Sequence, residues 1–560
     1  MRMENYKIGI WLKLLLGVMV VVLVLQLTSK YRVRIDMTEE KRYTITDATK
    51  EVLRQVKDDL YIEVYLEGEL PSNFLRFQTA IRETLEEFEV YTDASLEYRF
   101  IDPSQAESQR ARNQYYQGLM QQGLQPSNLN LKKDGKQSQI MVFPGLIISA
   151  GGQELAVNLL KGSRASSIEE VLNQSIEGLE YEIANGIALV TGNTRKRVGL
   201  VYGHDEPDTT ELAGFTNLVL SKYDLFRINL PTRTTPLTGY DLIVVTKPAK
   251  AFTEVEKYLL DQYLIGGGRL IFFLDALGVD MNEASGEGTV AIPYENNLND
   301  LLFKYGVRIN NNYVADINCG NTPVVAGNIG DQPQINMLPW PYFPIITNYG
   351  DHPVVKNMDA LQVRFASEID SVKADGIKKT PLLFTSANSK VIGAPVRVSY
   401  NDLKDELLPE KFVHKPVPIA YLLEGKFQSL YKNRFVPGNF DQSAFRPDGL
   451  ESKMAVIADG DLIRNEFDLE SGNPLPLGVD PYSREHYANE TLIMNLMEYL
   501  MDDSGLIQAR SKEIKIRPLD KARVKQERTK WQLINIAAPI FLLILFGLAK
   551  MYVRKSRYGK

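Results

Sequence analysis

Four histidines, one cysteine and a few closely spaced carboxylates bound the chemistry open to this chain of 560 residues. The tightest grouping is His204-Asp205-Glu206, directly after the apolar run Arg197–Tyr202. An imidazole beside two carboxylates can move protons, and the carboxyl end of a parallel strand is where doubly wound sheets bind ligands. The same residues also suit a polar turn that caps the next helix. Asp459 and Asp461 flank a second strand end in Ala458-Asp459-Gly460-Asp461. Their oxygens suit Mg2+ or Ca2+, and equally a turn whose carboxylates cap the next few backbone amides. No metal or cofactor is expected, and no catalytic residue is assigned. Cys319 lies in Ile317-Asn318-Cys319-Gly320, away from any strand-to-helix turn, and no GxSxG elbow supplies another nucleophile. Gly266-Gly267-Gly268 ends a helix instead of opening one, and no Walker A pattern occurs, so the chain is not a P-loop ATPase. Trp340, Tyr342 and Phe343 stand among prolines in a Gly-, Pro- and Asn-rich stretch, Asn318–Tyr349, that reads as a loop. It either exposes aromatic anchors to a partner or a sugar, or covers its own domain.

Composition narrows the classes further. A net charge of −6 gives no case for nucleic-acid binding. A single cysteine excludes an internal disulfide framework, a Cys-rich zinc site and a CxxC redox pair. His204, His352, His414 and His486 are far apart, so a His-based metal site has no local signature.

The elements that carry these residues fall into two α/β units. In the first, Thr46 or Asp47 caps a helix, Leu60–Leu66 alternates as a strand, and Phe74–Tyr91 places Phe74, Phe77, Ile81, Leu85 and Phe88 on one helical stripe. Leu96–Ile101 is a strand and Ala106–Gln122 a polar helix; Leu129–Lys132, Gln139–Ile148 and Gln153–Leu159 are strands. Ser167–Leu189 closes the unit as a helix with Ser167 and Glu170 at capping-box distance. This β-α-β-α-β-β-α order predicts a thioredoxin-like domain, with Gly68-Glu69-Leu70-Pro71-Ser72 where the redox cysteines would stand. Without a thiolate it does no disulfide exchange.

In the second unit, strands at Arg197–Tyr202, Leu225–Leu230, Asp241–Thr246 and Arg269–Leu274 alternate with helices Thr210–Tyr223 and Thr253–Ile265. The near-continuous apolar runs and the alternation predict a doubly wound parallel sheet. Met454–Ile457 and helix Asn489–Met501 rejoin it, making roughly 283–452 an insertion.

The two ends differ from everything between them. Ile8–Leu27 and Trp531–Val553 are long apolar runs with aromatic and basic flanks. Roughly 20 helical residues cross the ~30 Å hydrocarbon core, so each is expected to span a lipid bilayer. No Ala-x-Ala cleavage pattern follows the first, which favours an uncleaved anchor. Two spans place both termini on one side. The tail's Lys550, Arg554, Lys555, Arg557 and Lys560 argue for cytoplasmic termini, while the basic run from Arg510 to Lys530 votes the other way. Large domains translocate largely regardless of charge, so the expectation is a periplasmic middle. The expected division is an anchor (1–30), a thioredoxin-like domain (31–193), a doubly wound domain (194–508), a basic juxtamembrane segment (509–530), a span (531–553) and a tail (554–560).

A family resemblance rests on Asp36–Thr44, Val64–Pro71, Leu301–Val307, His352–Val355, Gly425–Phe427 and Ala458–Asn465, whose order and spacing cover nearly the whole chain. The chain resembles the GldG family, accessory membrane subunits of gliding-motility-associated ABC transporters in Bacteroidetes-type bacteria. The resemblance implies a partner permease, a separate ATPase and a large extracytoplasmic domain, on the bacterial inner membrane. A homodimer is compatible with it. It also implies that the central region is similar to the domain shared with intraflagellar-transport proteins and related to class I glutamine amidotransferase folds. The Cys–His pair of those enzymes is missing, which implies binding or scaffolding. The expected function is a non-catalytic accessory, substrate-binding subunit. The alternative is a membrane-anchored hydrolase or transferase acting on an envelope glycan or peptide through His204, Glu206 and Asp461.

Overall fold

The computed structural model describes residues 16–17, 19, 44–105, 108–133, 136–161, 167–192, 195–285, 288–329, 332–400, 409–412, 415–438, 440, 442–511 and 521–558. The expected first span therefore lies outside the described residues but for Leu16, Gly17 and Met19, as do Asp36–Tyr43 and most of the basic run before the second span. Two units emerge, Tyr43–Lys512 and the two terminal stretches Met1–Arg42 with Glu513–Lys560.

In the larger unit, Thr46 caps helix α1 (Asp47–Gln55) by accepting from the Thr49 amide. Strand β1 (Leu60–Val64) buries Leu60, Ile62 and Val64 and leaves Tyr61 outside. Helix α2 (Ser72–Tyr91) buries the expected stripe from Phe74 to Phe88. Strand β2 (Leu96–Phe100) pairs parallel with β1, and helix α3 (Gln109–Gln121) follows. Strands β3 (Ser127–Lys133) and β4 (Lys136–Val142) form a hairpin of their own. Strands β5 (Gly145–Ala150) and β6 (Gln153–Asn158) complete a sheet ordered β2-β1-β5-β6, antiparallel apart from the β1–β2 pair. The single strand expected over Gln139–Ile148 is thus two. Pro144 has no N–H to continue a ladder, so the chain breaks there and β5 joins another sheet. Helix α4 (Ile168–Thr191) starts at the Ser167–Glu170 capping box and packs Leu179, Ile183 and Ile187 on the α2 stripe.

The central sheet has eight strands. Strand β7 (Arg197–Tyr202), helix α5 (Ala213–Leu220), strand β8 (Asp224–Asn229), strand β9 (Leu242–Thr246), helix α6 (Glu254–Ile265) and strand β10 (Leu270–Phe273) come first. Helix α7 (Asn299–Tyr305), strands β11 (Cys319–Ile329), β12 (Gln332–Ile346), β13 (Asn348–Tyr349), β14 (Ile377–Phe384), β15 (Pro418–Gln428) and β16 (Asp448–Ile457), and helix α8 (Asn489–Met501) follow, with shorter elements between. The sheet order is β13-β14-β15-β16-β10-β9-β7-β8. Its β16-β10-β9-β7-β8 half is parallel throughout, and β13 to β15 extend it antiparallel. Taken in chain order, the parallel strands run 2-1-3-4-5 across the sheet, a doubly wound order whose switch point falls between β7 and β9.

Both faces are covered. Val201, Ile243, Val245, Leu270 and Phe272 pack with Leu260 and Leu264 of α6. Val198, Leu200, Val244, Ile271 and Phe273 pack with Phe215 of α5 and Leu492 and Leu496 of α8. Two buried faces explain why β9 reads Leu-Ile-Val-Val-Thr without alternation. Gly267, at φ +93°, turns the chain out of α6 in a conformation other residues rarely adopt. Glu498 of α8 ties α4 to this sheet domain, accepting from Tyr181 Oη and Lys222 Nζ, each at 2.6 Å.

The stretch expected as a loop, Asn318–Tyr349, contains the long hairpin β11–β12. Its prolines stand within an irregular two-stranded pairing, with register shifts between Cys319 and Asn321 and between Val325 and Gly327, instead of inside a central sheet, where a missing N–H costs more. Much of the expected insertion also joins the central sheet, through β13, β14 and β15.

The terminal unit contains helix α9 (Lys521–Tyr558). Its Glu527–Ser556 stretch has a mean hydropathy of 2.2 in its most apolar window and none of that window is covered by protein. Among the described residues it is the helix long and apolar enough to cross a membrane, and it includes the expected span 531–553. An apolar surface on every side of a helix suits lipid, not water.

Candidate functional site

Beyond β7 the chain turns at Gly203, φ +124°, and buries His204 at 2% exposure. Its ring lies flat on Phe252, centroids 3.8 Å apart. Nδ1 is 3.3 Å from Glu206 Oε1, and Nε2 is 3.3 Å from Glu256 Oε2 in the first turn of α6. Glu206 turns back to accept from the Gly203 and His204 amides at 2.8 and 2.7 Å. The His204 carbonyl accepts from the Ala249 and Lys250 amides, which stitches the loop after β7 to the loop after β9 at the switch point. Asp205 points away and pairs with exposed Lys250 at 2.9 Å. The polar-turn reading holds in part: Glu206 closes the turn, but Asp208 caps the segment leading to α5.

Burial alone would depress the His204 pKa, but the hydrogen bonds and charges of Glu206 and Glu256 outweigh it and raise it. A folded imidazole that holds its proton above the ordinary value of 6.5 stabilises fully below that pH. The contribution is lost as pH rises through the raised value. Urea denaturation between pH 6 and 9 should therefore show stability falling with pH, and His204→Asn should flatten that slope.

A larger charge cluster stands over the next strands. Asp275 follows β10, Asp459 and Asp461 follow β16, and their nearest oxygens all lie within 4.8 Å of one another. Lys247, directly after β9, places Nζ 2.9 Å from Asp275 Oδ2 and 2.5 Å from Asp461 Oδ1. Arg464 bonds Asp461 at 2.6 Å and also pairs with Glu211. Asp459 accepts from the Asp461 and Leu462 amides at 2.7 and 3.1 Å and from the Arg364 amide at 2.8 Å. It caps a turn, as one reading of its spacing expects, while Asp461 binds cations of the chain. Burial, then Asp461 and Asp275, push Asp459 well above the usual carboxylate range. Burial also raises Asp275 against the pull of Lys247. Asp461 feels the same burial, yet Lys247 and Arg464 hold it below the ordinary value. An ammonium thus occupies the place a divalent cation would take among these oxygens.

The aromatic anchors are elsewhere, and buried. Trp340, Tyr342 and Phe343 are 1%, 3% and 7% exposed on β12, so the expected presentation to a partner does not occur. The hairpin folds these rings onto Phe365, Tyr313 and Tyr400, where they gain more from leaving water than from facing it. Cys319 is half-buried; burial and Asp316 push its thiol up to about 11, which leaves no thiolate for nucleophilic attack near neutrality.

Comparison with known proteins decides the class. Residues 195–496 match the model of a family described as ABC-type uncharacterized transport system, whose members are auxiliary components. The chain belongs to this family. As an ABC auxiliary component it associates with the permease and ATPase components of a transport system. Residues 39–149 match a second model, described as a domain of unknown function. An uncharacterized protein of Borreliella burgdorferi is 22% identical over 539 residues, 94% of each chain. Among solved structures, the mmIFT52 N-terminal domain is 13% identical, covering 55% of this chain and 97% of its own, at TM-score 0.30. A ThuA-like protein from Parabacteroides merdae is 10% identical over 59% and 94%, at TM-score 0.25. Both scores lie too low to establish a shared fold.

For an auxiliary component, the strand-end chemistry reads as internal bracing. Every carboxylate of the aspartate cluster has a partner from the chain, and His204 is held between two glutamates with no Ser or Cys nucleophile bonded to it among the described residues. Lys247, Glu256, Asp275 and Arg464 are the residues that sequence reasoning missed. The signal was present for Lys247 and Asp275, since each comes just after the last residues of a parallel strand, where doubly wound sheets concentrate their chemistry.

Proposed function

We propose that this chain is the GldG-like, non-catalytic accessory subunit of an ABC transporter associated with gliding motility, presenting a periplasmic module beside a permease. The family match over residues 195–496 carries the transporter part of this reading. The uncovered apolar helix α9 supports anchoring in a bilayer, with the first apolar run as a second span. The sheet order β2-β1-β5-β6, with no cysteine nearby, supports a thioredoxin-like fold without redox chemistry for residues 31–193. The 2-1-3-4-5 order supports an amidotransferase-like fold for residues 194–508. Such a module binds a partner or substrate and leaves ATP hydrolysis to another subunit.

The test is purification of the full-length chain from its native membrane in mild detergent. A multi-span permease and an ATPase should co-purify in fixed ratio, and recovery of the chain alone would overturn the proposal. Protease added outside intact spheroplasts should digest the Tyr43–Lys512 unit; full protection would reverse the orientation. His204→Gln with Glu206→Gln, at normal protein level, should leave transport or gliding unchanged, whereas loss would revive the hydrolase alternative.

A further inference from the structure

A cavity of about 560 Å3 opens beside the carboxyl ends of the parallel strands β1 and β2, far in sequence from the charges after β7 to β16. Its walls come from three places. The loop after β1 supplies Glu67, the loop after β2 supplies Asp102, and α3 supplies Arg112 and Tyr116 from one helical face. Ile140 and Met141 of β4 add an apolar side. The volume is that of a small-molecule site, and the position is the one at which open α/β sheets take ligands.

Gly68 makes the two loops meet. Its φ is +112°, and a Cβ there would stand 2.7 Å from Asp102 Oδ2, so only glycine lets the loop after β1 close on Asp102. That closure holds Glu67 and Asp102 together in the wall of the cavity, which Glu69 also lines. Glu67 takes an amide hydrogen from Gln78 at 2.7 Å, and Asp102 accepts from the Ser104 amide and hydroxyl at 2.8 and 2.6 Å. Neither forms an ion pair among the described residues.

Arg112 is the complement. Its Nε is buried and has no hydrogen-bond partner, although the residue as a whole is partly exposed, and no ion pair of its guanidinium occurs among the described residues. A buried donor left unsatisfied is costly, more so when charged. Among the described residues no carboxylate pairs with it, so an incoming anion is its natural partner, and that of Glu67 and Asp102 is a positive group.

We propose that this cavity binds a zwitterion of the α-amino-acid class, a free amino acid or a short peptide with free termini. Arg112 takes the carboxylate, Glu67 and Asp102 take the ammonium, and Tyr116 with Ile140 and Met141 lines the path of the side chain. The proposal does not rest on the transporter reading, because binding is measured on the purified chain without permease or ATPase.

The experiment is native mass spectrometry or calorimetry of the full-length chain in detergent micelles. The probes are a pool of random tripeptides with free termini, the same pool N-acetylated, the same pool C-amidated, and a mixture of free amino acids. The chain should retain the free tripeptides or the free amino acids, whichever source it uses, and blocking either terminus should weaken binding at least tenfold. Arg112→Gln should bind the free and C-amidated pools equally, and Glu67→Gln, which leaves Asp102 in place, should narrow the gap between the free and N-acetylated pools, both with unchanged melting temperature. No retention of any unblocked probe, or retention unchanged by Arg112→Gln, overturns the proposal.

Discussion

Replacing Lys247 by methionine should cost the Tyr43–Lys512 unit about 3–5 kcal/mol, the range for breaking a buried ion pair on one side. Lys247 bridges Asp275 and Asp461, whose carboxylates crowd Asp459 within 4.8 Å. Without the ammonium, Arg464 is the remaining cation bonded to this group among the described residues. Urea denaturation measures the loss. Two further results distinguish this cause from simple misfit of the new side chain. The variant should gain stability as the pH falls toward 5, because crowded carboxylates bind protons more tightly folded than unfolded. It should also regain part of its stability in millimolar Ca2+ or Mg2+, to which the parent should be indifferent. A variant as stable as the parent, or one insensitive to both pH and cation, would show that Lys247 does not hold the cluster together.

Trp340→Ala should cost a comparable amount, about 3–5 kcal/mol, the usual penalty for emptying a large buried aromatic site. The indole is 1% exposed and meets Tyr400 edge-on at 4.0 Å and Phe343 at 5.9 Å. Trp340→Phe should be much milder, since Nε1 has no hydrogen-bond partner to lose. Thermal and chemical melts give the stability. Co-purification of the transporter partners at matched folded protein gives the control: it should stay unchanged for both variants. Lost partner binding in a fully stable Trp340→Ala protein would restore the anchor reading.

The contrast between these residues marks how far the sequence could be read. Short-range signals were legible. Apolar stripes placed α2 and α6, and the Thr253–Glu256 and Ser167–Glu170 spacings became capping boxes at the expected positions. The unbroken apolar strands β9 and β10 announced a sheet buried on both faces. Each of these depends on residues within a few positions of one another, where backbone geometry alone fixes who meets whom.

Asn318–Tyr349 failed for the opposite reason. Its prolines and glycines signal a loop locally, yet the cross-strand pairs of β11 with β12 hold it as a hairpin, and the rings of Tyr313, Phe365 and Tyr400 bury its Trp340–Phe343 end. The site behaved likewise. Asp459 and Asp461 stood out because they are neighbours, whereas Lys247 pairs with Asp461 across 214 positions.

Residue order alone established an α/β chain with an apolar segment near its C-terminus. Packing in three dimensions added that the strand-end carboxylates are paired with Lys247 and Arg464, that the aromatic cluster is core, and that Arg112 lines one cavity with Glu67 and Asp102. Periodicity and capping are read along the chain. Charge compensation and burial are set by strand order, which brings distant residues to one edge of a sheet.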